Sequence, residues 1–193
     1  MKRLCVYLGS SPGFDPLYRA AAADLGRTMA ARGIDLVYGG GSVGLMGVIA
    51  DAVLAAGGAV TGVIPRALAE REVEHRGLTE LVLTTSMHER KAVMADRADA
   101  FVAIPGGIGT FEELFEAWTW AQLGDHTKPV ALLNVAGFFD PLLAFLDNVV
   151  AAGFLKQVHR DLLIVADDID GLFDRLAAYR APRIAKWITD AER

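Results

Sequence analysis

Only one cysteine occurs in this chain, its longest apolar runs are short, and it carries no surplus of positive charge. Each deficit excludes something. Cys5, inside the apolar run Leu4–Leu8, can form neither an internal disulfide nor a thiolate metal cluster, and it reads as a small buried hydrophobe. No uninterrupted apolar run approaches the ~20 residues that span a bilayer, so no membrane partner is expected. A strand-like segment begins almost at once, which is not the layout of a signal peptide, and the expected compartment is the cytoplasm. The net charge of −5, from 19 basic and 24 acidic residues, argues against a nucleic-acid binder that works by neutralising phosphates. No His, Cys and Asp cluster has ligand spacing, so no metal is expected. Linkers, repeats and low-complexity tracts are also lacking.

What is present is ample apolar material, 53% of 193 residues, enough for one core and most simply one domain over residues 1–193. Apolar, β-branched runs recur at Leu4–Leu8, Ile34–Tyr38, Ala59–Ile64, Leu81–Thr84, Ala100–Ile104, Val130–Val135 and Leu162–Val165. Helical patterns fill most intervals, at Pro16–Arg32, Leu45–Ala56, Met87–Ala95, Phe111–Gln122, Pro141–Ala152 and Ile169–Tyr179. That alternation predicts βαβ units and a parallel sheet. The runs lack polar alternation, as strands covered on both faces do. The fold class is therefore α/β, a Rossmann-like, doubly wound parallel sheet flanked by helices. The stretch 181–193 reads as a short helix or a tail.

Three places can carry chemistry. Gly39-x-Gly41-x-x-Gly44 has the dinucleotide-fingerprint spacing after the second strand. A nicotinamide enzyme also needs an acid at the end of the next strand, and here that strand ends Ile64-Pro65-Arg66. The missing acid weakens that reading, leaving Arg66 as an opening for a 2′-phosphate, while tight-turn and helix-packing needs explain the glycines equally well. The second place is Ser86-Met87-His88-Glu89-Arg90-Lys91, where Ser86 and Glu89 have capping-box spacing and start a helix. Two cations near the positive end of a helix dipole make sense if an anion sits there; a solvated face is the alternative. The third is Pro105-Gly106-Gly107-Ile108-Gly109-Thr110-Phe111-Glu112-Glu113, a glycine turn from strand to helix that suits a phosphate. Thr110 to Glu113 also matches a capping box with Thr110 as N-cap, in which Glu113 only ties back to that residue. On spacing alone the two readings are even.

Taken together, Gly9-Ser10-Ser11-Pro12-Gly13, Gly39-Gly40-Gly41-x-x-Gly44-Leu45-Met46-Gly47, Met87-His88-Glu89-Arg90-Lys91 and Pro105-Gly106-Gly107-x-Gly109-Thr110-x-x-Glu113 resemble the LONELY GUY (LOG) family of cytokinin riboside 5′-monophosphate phosphoribohydrolases. Trp118 to Gly124 and Lys128-Pro129-Val130 extend the likeness over nearly the whole chain. The resemblance implies hydrolysis of the N-glycosidic bond of a cytokinin riboside 5′-monophosphate or AMP, releasing free base and ribose 5-phosphate. It implies no cofactor. Glu113 matches the family's catalytic carboxylate and Arg90 its catalytic arginine. Lys91, Gly107, Ile108, Gly109, Thr110, Phe111 and Glu112 match substrate-binding positions, and Glu72 matches an additional substrate-contacting glutamate. Gly106, Ser10, Gly41, Gly44 and Met87 complete the expected substrate site, with the 5′-phosphate on the Gly106 to Thr110 turn. A homodimer with active sites near the subunit interface is the implied assembly, to which the segment around Phe115, Trp118 and Trp120 is a candidate contributor. The family's frequent label, lysine decarboxylase, would require a Schiff-base lysine, and Lys91, the one lysine within these motifs, suits charge pairing better. A non-catalytic nucleotide carrier and an NADP-dependent oxidoreductase are the rival classes.

Overall fold

The computed structural model describes residues 1–69 and 74–182. Strand and helix alternate along it: β1 (Arg3–Tyr7), α1 (Pro16–Ala31), β2 (Asp35–Tyr38), α2 (Gly44–Ala55), β3 (Val60–Pro65), α3 (Arg66–Ala69), β4 (Glu80–Thr84), α4 (Met87–Arg97), β5 (Ala100–Ala103), α5 (Ile108–Leu123), β6 (Val130–Leu133), a 3₁₀ turn (Val135–Gly137), α6 (Asp140–Ala151), α7 (Gln157–Arg160), β7 (Leu163–Ala166) and α8 (Ile169–Ala178). The strands form one seven-stranded sheet in the order β4-β3-β2-β1-β5-β6-β7, parallel at every pairing. The chain winds outward from β1 to β4, crosses back, and winds outward again from β5. The order therefore reverses between β1 and β5, and in such sheets ligands bind outside the carboxyl ends of the strands at that reversal.

Because side chains alternate along a strand, the central strand feeds two cores at once. Leu4, Val6 and Leu8 enter the layer that packs on Leu25 and Met29 of α1, Ile49 and Val53 of α2, and Leu172 of α8. Cys5 and Tyr7 enter the opposite layer with Met94 of α4, Leu114 of α5 and Leu146 of α6. All seven expected strands are present, and their central members are buried on both faces. Cys5 is fully buried, and burial pushes its thiol well above the usual range, so it is an unreactive core residue.

Differences from the sequence expectation are local. Helices α3 and α7, four residues each, are too short to leave a periodic signal. Helix α5 begins at Ile108 with Gly107 as its N-cap, so Thr110 is not the cap: it lies inside the first turn, buried. The reason is close approach, since a Cβ on Gly106 would come within 2.1 Å of Thr110 Oγ1. At α4 the expected Ser86 cap forms, its Oγ accepting from Glu89 N–H at 3.1 Å. The Glu89 carboxylate reaches back to Thr85 N–H and Oγ1, both at 2.6 Å, one residue beyond the position a capping box would use. Trp118 is buried, with Nε1 donating to His159 O at 2.9 Å, so it serves the chain's own core rather than an exposed face; Phe115 and Trp120 are half-buried beside it. The expected terminal helix or tail lies outside the described residues from position 183 onward.

Candidate active site

A cavity of about 260 Å³ opens at the carboxyl ends of β1, β2, β3 and β5. Its floor is apolar, from Val6, Leu8, Ile64, Met46 and Leu68, and its polar rim is Ser10, Arg90, Glu113 and the first turn of α5. Gly107 caps that helix without a side-chain hydrogen bond, and Phe111 N–H donates to Gly107 O at 3.2 Å, closing the first turn. The N–H groups of Ile108, Gly109 and Thr110 thus belong to the unpaired first turn, beside the cavity, where helix geometry favours an anion.

Arg90 reaches this space from the start of α4. Its side chain is only 12% exposed and is fixed at several donors. Nε donates to Val63 O at 3.1 Å, Nη2 to Gly39 O at 3.5 Å, and Nη1 points at Met87 Sδ, 3.8 Å away. The same Nη2 lies 3.4 Å from Glu113 Oε1. Glu113, on the second turn of α5, is 11% exposed. Burial pushes its carboxyl above the ordinary range; Arg90 opposes this, Glu112 and Glu116 add to it, and Lys91 opposes it. Glu113 is therefore no helix cap. It is a desolvated carboxylate paired with a guanidinium on the wall of a cavity, the kind of environment in which carboxyls do acid–base or charge-stabilising work.

The other expected residues divide. Ser10, Gly107, Ile108, Gly109 and Thr110 line the cavity with Arg90 and Glu113. Gly106 faces a second hollow of about 280 Å³, bounded by the Gly9–Gly13 loop, Tyr18, Leu45 and Phe138, which meets the first at Ser10 and Gly107. Phe111 turns into the core, stacked on Phe138 at 6.5 Å between ring centroids. Gly41 holds the loop through its carbonyl, which accepts from Tyr38 OH at 3.1 Å. Gly44, at φ +58°, packs on the Ser10 backbone, where a Cβ would come within 2.3 Å. Met87 is part-exposed and touches the site only through Arg90. Lys91 and Glu112 are directed elsewhere: the buried ammonium binds Glu112 Oε1 at 2.5 Å and, more tightly still, Glu116 Oε2. The anions that rationalise two cations at this helix start are thus α5 carboxylates. Glu72 lies outside the described residues.

Sequence reasoning missed Met46, Ile64 and Leu68, the apolar wall, and the service Gly39 performs. A Cβ on Gly39 would stand 2.0 Å from Arg90 Nη2. The glycine fingerprint is thereby accounted for by the arginine seat, Ser10 and Met46, without a dinucleotide. Among the described residues no group of three or more His, Cys, Asp or Glu side chains is placed to hold a metal ion.

A family model described as "Possible lysine decarboxylase" matches residues 46–176. A probable cytokinin riboside 5′-monophosphate phosphoribohydrolase of Oryza sativa subsp. japonica is 54% identical over 92% of this chain and 78% of its own. A cytokinin riboside 5′-monophosphate phosphoribohydrolase of Arabidopsis thaliana is 50% identical over 92% of this chain and 84% of its own. Among solved structures, the X-ray structure of TM1055 superposes with a TM-score of 0.70 at 27% identity, covering 93% of this chain and all of that one. The molybdenum cofactor carrier protein of Chlamydomonas reinhardtii reaches 0.69 at 23% identity over 91% of this chain and 95% of its own, a likeness of fold alone.

Proposed function

The chain belongs to the cytokinin riboside 5′-monophosphate phosphoribohydrolase (LONELY GUY) family, and from that membership we propose that it hydrolyses the N-glycosidic bond of a cytokinin riboside 5′-monophosphate, AMP or both. The observation that carries the reading is the Arg90–Glu113 ion pair lining a cavity that also borders the unpaired first turn of α5. Cleavage of the C1′–N bond passes through an oxocarbenium-like ribose. Glu113 stabilises the positive charge as it develops and receives the proton of the attacking water, whose oxygen bonds C1′. Arg90 donates hydrogen bonds to the departing base or orients the ribose, and it supplies no proton, since a guanidinium is not deprotonated in proteins. The base leaves with the C–N bonding pair and takes up the proton, so that water is divided between ribose 5-phosphate and free base. The 5′-phosphate rests on the first turn of α5 with Ser10, and its binding energy positions C1′.

Lysine decarboxylation fits this chain poorly. Burial alone would lower the Lys91 ammonium, but hydrogen bonds to Glu112 and Glu116 outweigh it and hold the amine protonated, the wrong state for imine formation.

Incubation with AMP, isopentenyl-AMP, GMP and CMP followed by chromatography tests the proposal. Free base with equimolar ribose 5-phosphate from at least one adenine nucleotide supports it, whereas tight binding without product indicates a carrier. Because burial raises the Glu113 carboxyl, kcat/KM on AMP should fall with decreasing pH along a limb whose midpoint lies above the ordinary carboxylate value. A limb at or below that value would show that a different group governs the reaction. We further propose a homodimer acting in the cytoplasm; light scattering should then return twice the 20.7 kDa chain mass. No helix among the described residues is long and apolar enough to cross a membrane.

A further inference from the structure

We propose that Lys91 is a positioning residue for hydrolysis rather than a substrate ligand: it bridges α4 to α5 behind the cavity, neutralises Glu112 and Glu116, and so keeps Glu113 charged and opposite Arg90. The inference deepens the proposed hydrolase reading and rests on it for the kinetic outcome.

Neighbouring residues on a helix point about 100° apart, and residues four apart share a face. On α4 this sends Arg90 and Lys91 to different sides; on α5 it puts Glu112 and Glu116 on one face and turns Glu113 about 100° from Glu112, with Glu116 between the two. The cavity side is closed by Arg90 with Glu113, and the other side by Lys91 with Glu112 and Glu116. Rotation of α4 against α5 would break both contacts. The Lys91 side chain is 9% exposed, Glu116 25% and Glu112 49%, so the bridge is sheltered at its centre and wet at one end. Lys91 does not border the cavity, and its charge is already shared between two carboxylates.

Glu112 and Glu116 repel one another at four-residue spacing, and both press on Glu113. The groups facing Glu113 are Arg90 and Lys91 from α4, Glu112 and Glu116 from its own helix, and the buried, neutral Cys5 and Tyr7 of β1. Three carboxylates therefore meet two cations. Removing Lys91 leaves three against one, and both the geometry and the charge of Glu113 depend on the cation that is lost.

The test compares the wild type, Lys91→Met and Lys91→Met/Glu112→Gln/Glu116→Gln in the full-length protein. Carbon-13 NMR of labelled glutamate carboxyls follows the Glu113 titration, assigned by its absence in Glu113→Gln. Lys91→Met should raise the Glu113 midpoint and cut kcat on AMP about tenfold near pH 6, while KM changes by less than about twofold. The triple variant removes the like charges with the cation, and the midpoint should return toward wild type. A KM increase of about tenfold with the midpoint unmoved would make Lys91 a substrate ligand and overturn the proposal. An unmoved midpoint with reduced melting temperature alone would make it a structural pair and overturn it equally. If the wild type releases no base, the hydrolase reading fails, yet the carboxyl titrations still decide whether Lys91 controls Glu113.

Discussion

Glu113→Gln should fold at least as stably as the wild type at neutral pH and lose about 10²- to 10⁴-fold in kcat on AMP or prenylated AMP. Both halves follow from one buried carboxylate. Glutamine keeps the shape and an oxygen beside Arg90, but it offers neither negative charge to an oxocarbenium-like ribose nor a base for water. Since burial raises the Glu113 carboxyl, the folded protein holds this proton more tightly than the unfolded chain does. Ionised Glu113 therefore costs stability above the raised value, and the cost vanishes below the ordinary carboxylate range, where the group is protonated in both states. Thermal unfolding at pH 7.5 should show a melting temperature for the variant equal to or above wild type, and near pH 3 the two should coincide. Substantial turnover by the variant would remove Glu113 from the chemistry. A melting temperature well below wild type at pH 7.5 would mean that the Arg90 ion pair outweighs desolvation. Function and stability pull in opposite directions at this residue, as they do at other sites that hold a charge out of water.

Long-period features were plain in the sequence and short-range geometry was not. Seven apolar runs and six helical patterns mark the sheet and its major helices because a strand buried on both faces must be apolar throughout, as Leu36, Val37 and Tyr38 are. The Thr-x-x-Glu pattern leaves an N-cap at Thr110 open as one of two even readings, and the backbone has a better one: Gly107 is extended, and starting α5 there lets Thr110 tuck its hydroxyl under Gly106. Arg90 and Glu113, far apart in the chain, were recognisable through their motifs, but their facing depends on β3, β4 and β5 lying in the order that brings α4 beside α5. For Lys91 a signal did exist. Glu112 and Glu116 place like charges one turn apart on a helix, an unfavourable spacing unless a cation from elsewhere sits between them. The apolar wall of Met46, Ile64 and Leu68 left no trace, because it assembles from three elements whose apolar residues serve the core equally well.

Gly39→Ala should abolish most of the activity without unfolding the protein, a combination that separates an arginine seat from a phosphate cradle. Gly39 is not among the glycines at positive φ, so alanine imposes no backbone strain there. The atoms closest to a new Cβ are side-chain ends, Arg90 Nη2 at 2.0 Å and Met46 Cε at 3.0 Å, and both can move aside. Alanine also reduces the freedom of the unfolded chain, worth about 0.4–1 kcal/mol in favour of folding where the site accepts it. What is lost is the guanidinium's place: Nη2 leaves Gly39 O and the Glu113 carboxylate together. Misplacing a reacting group by about 1 Å can cost on the order of 10² in rate, and the displacement here is at least of that size. The loss should fall on kcat, with KM for AMP nearly unchanged, because the proposed phosphate seat is on α5 and not at Gly39. A fingerprint glycine holding phosphate would do the reverse, raising KM with kcat preserved. Gly44→Ala serves as the contrast, since its φ of +58° and the Ser10 backbone within 2.3 Å leave no movable atom to yield. That variant should be destabilised by several kcal/mol, about 1–2 from the left-handed backbone and the remainder from the clash. Two glycines five residues apart would then fail in different ways, one in catalysis and the other in folding.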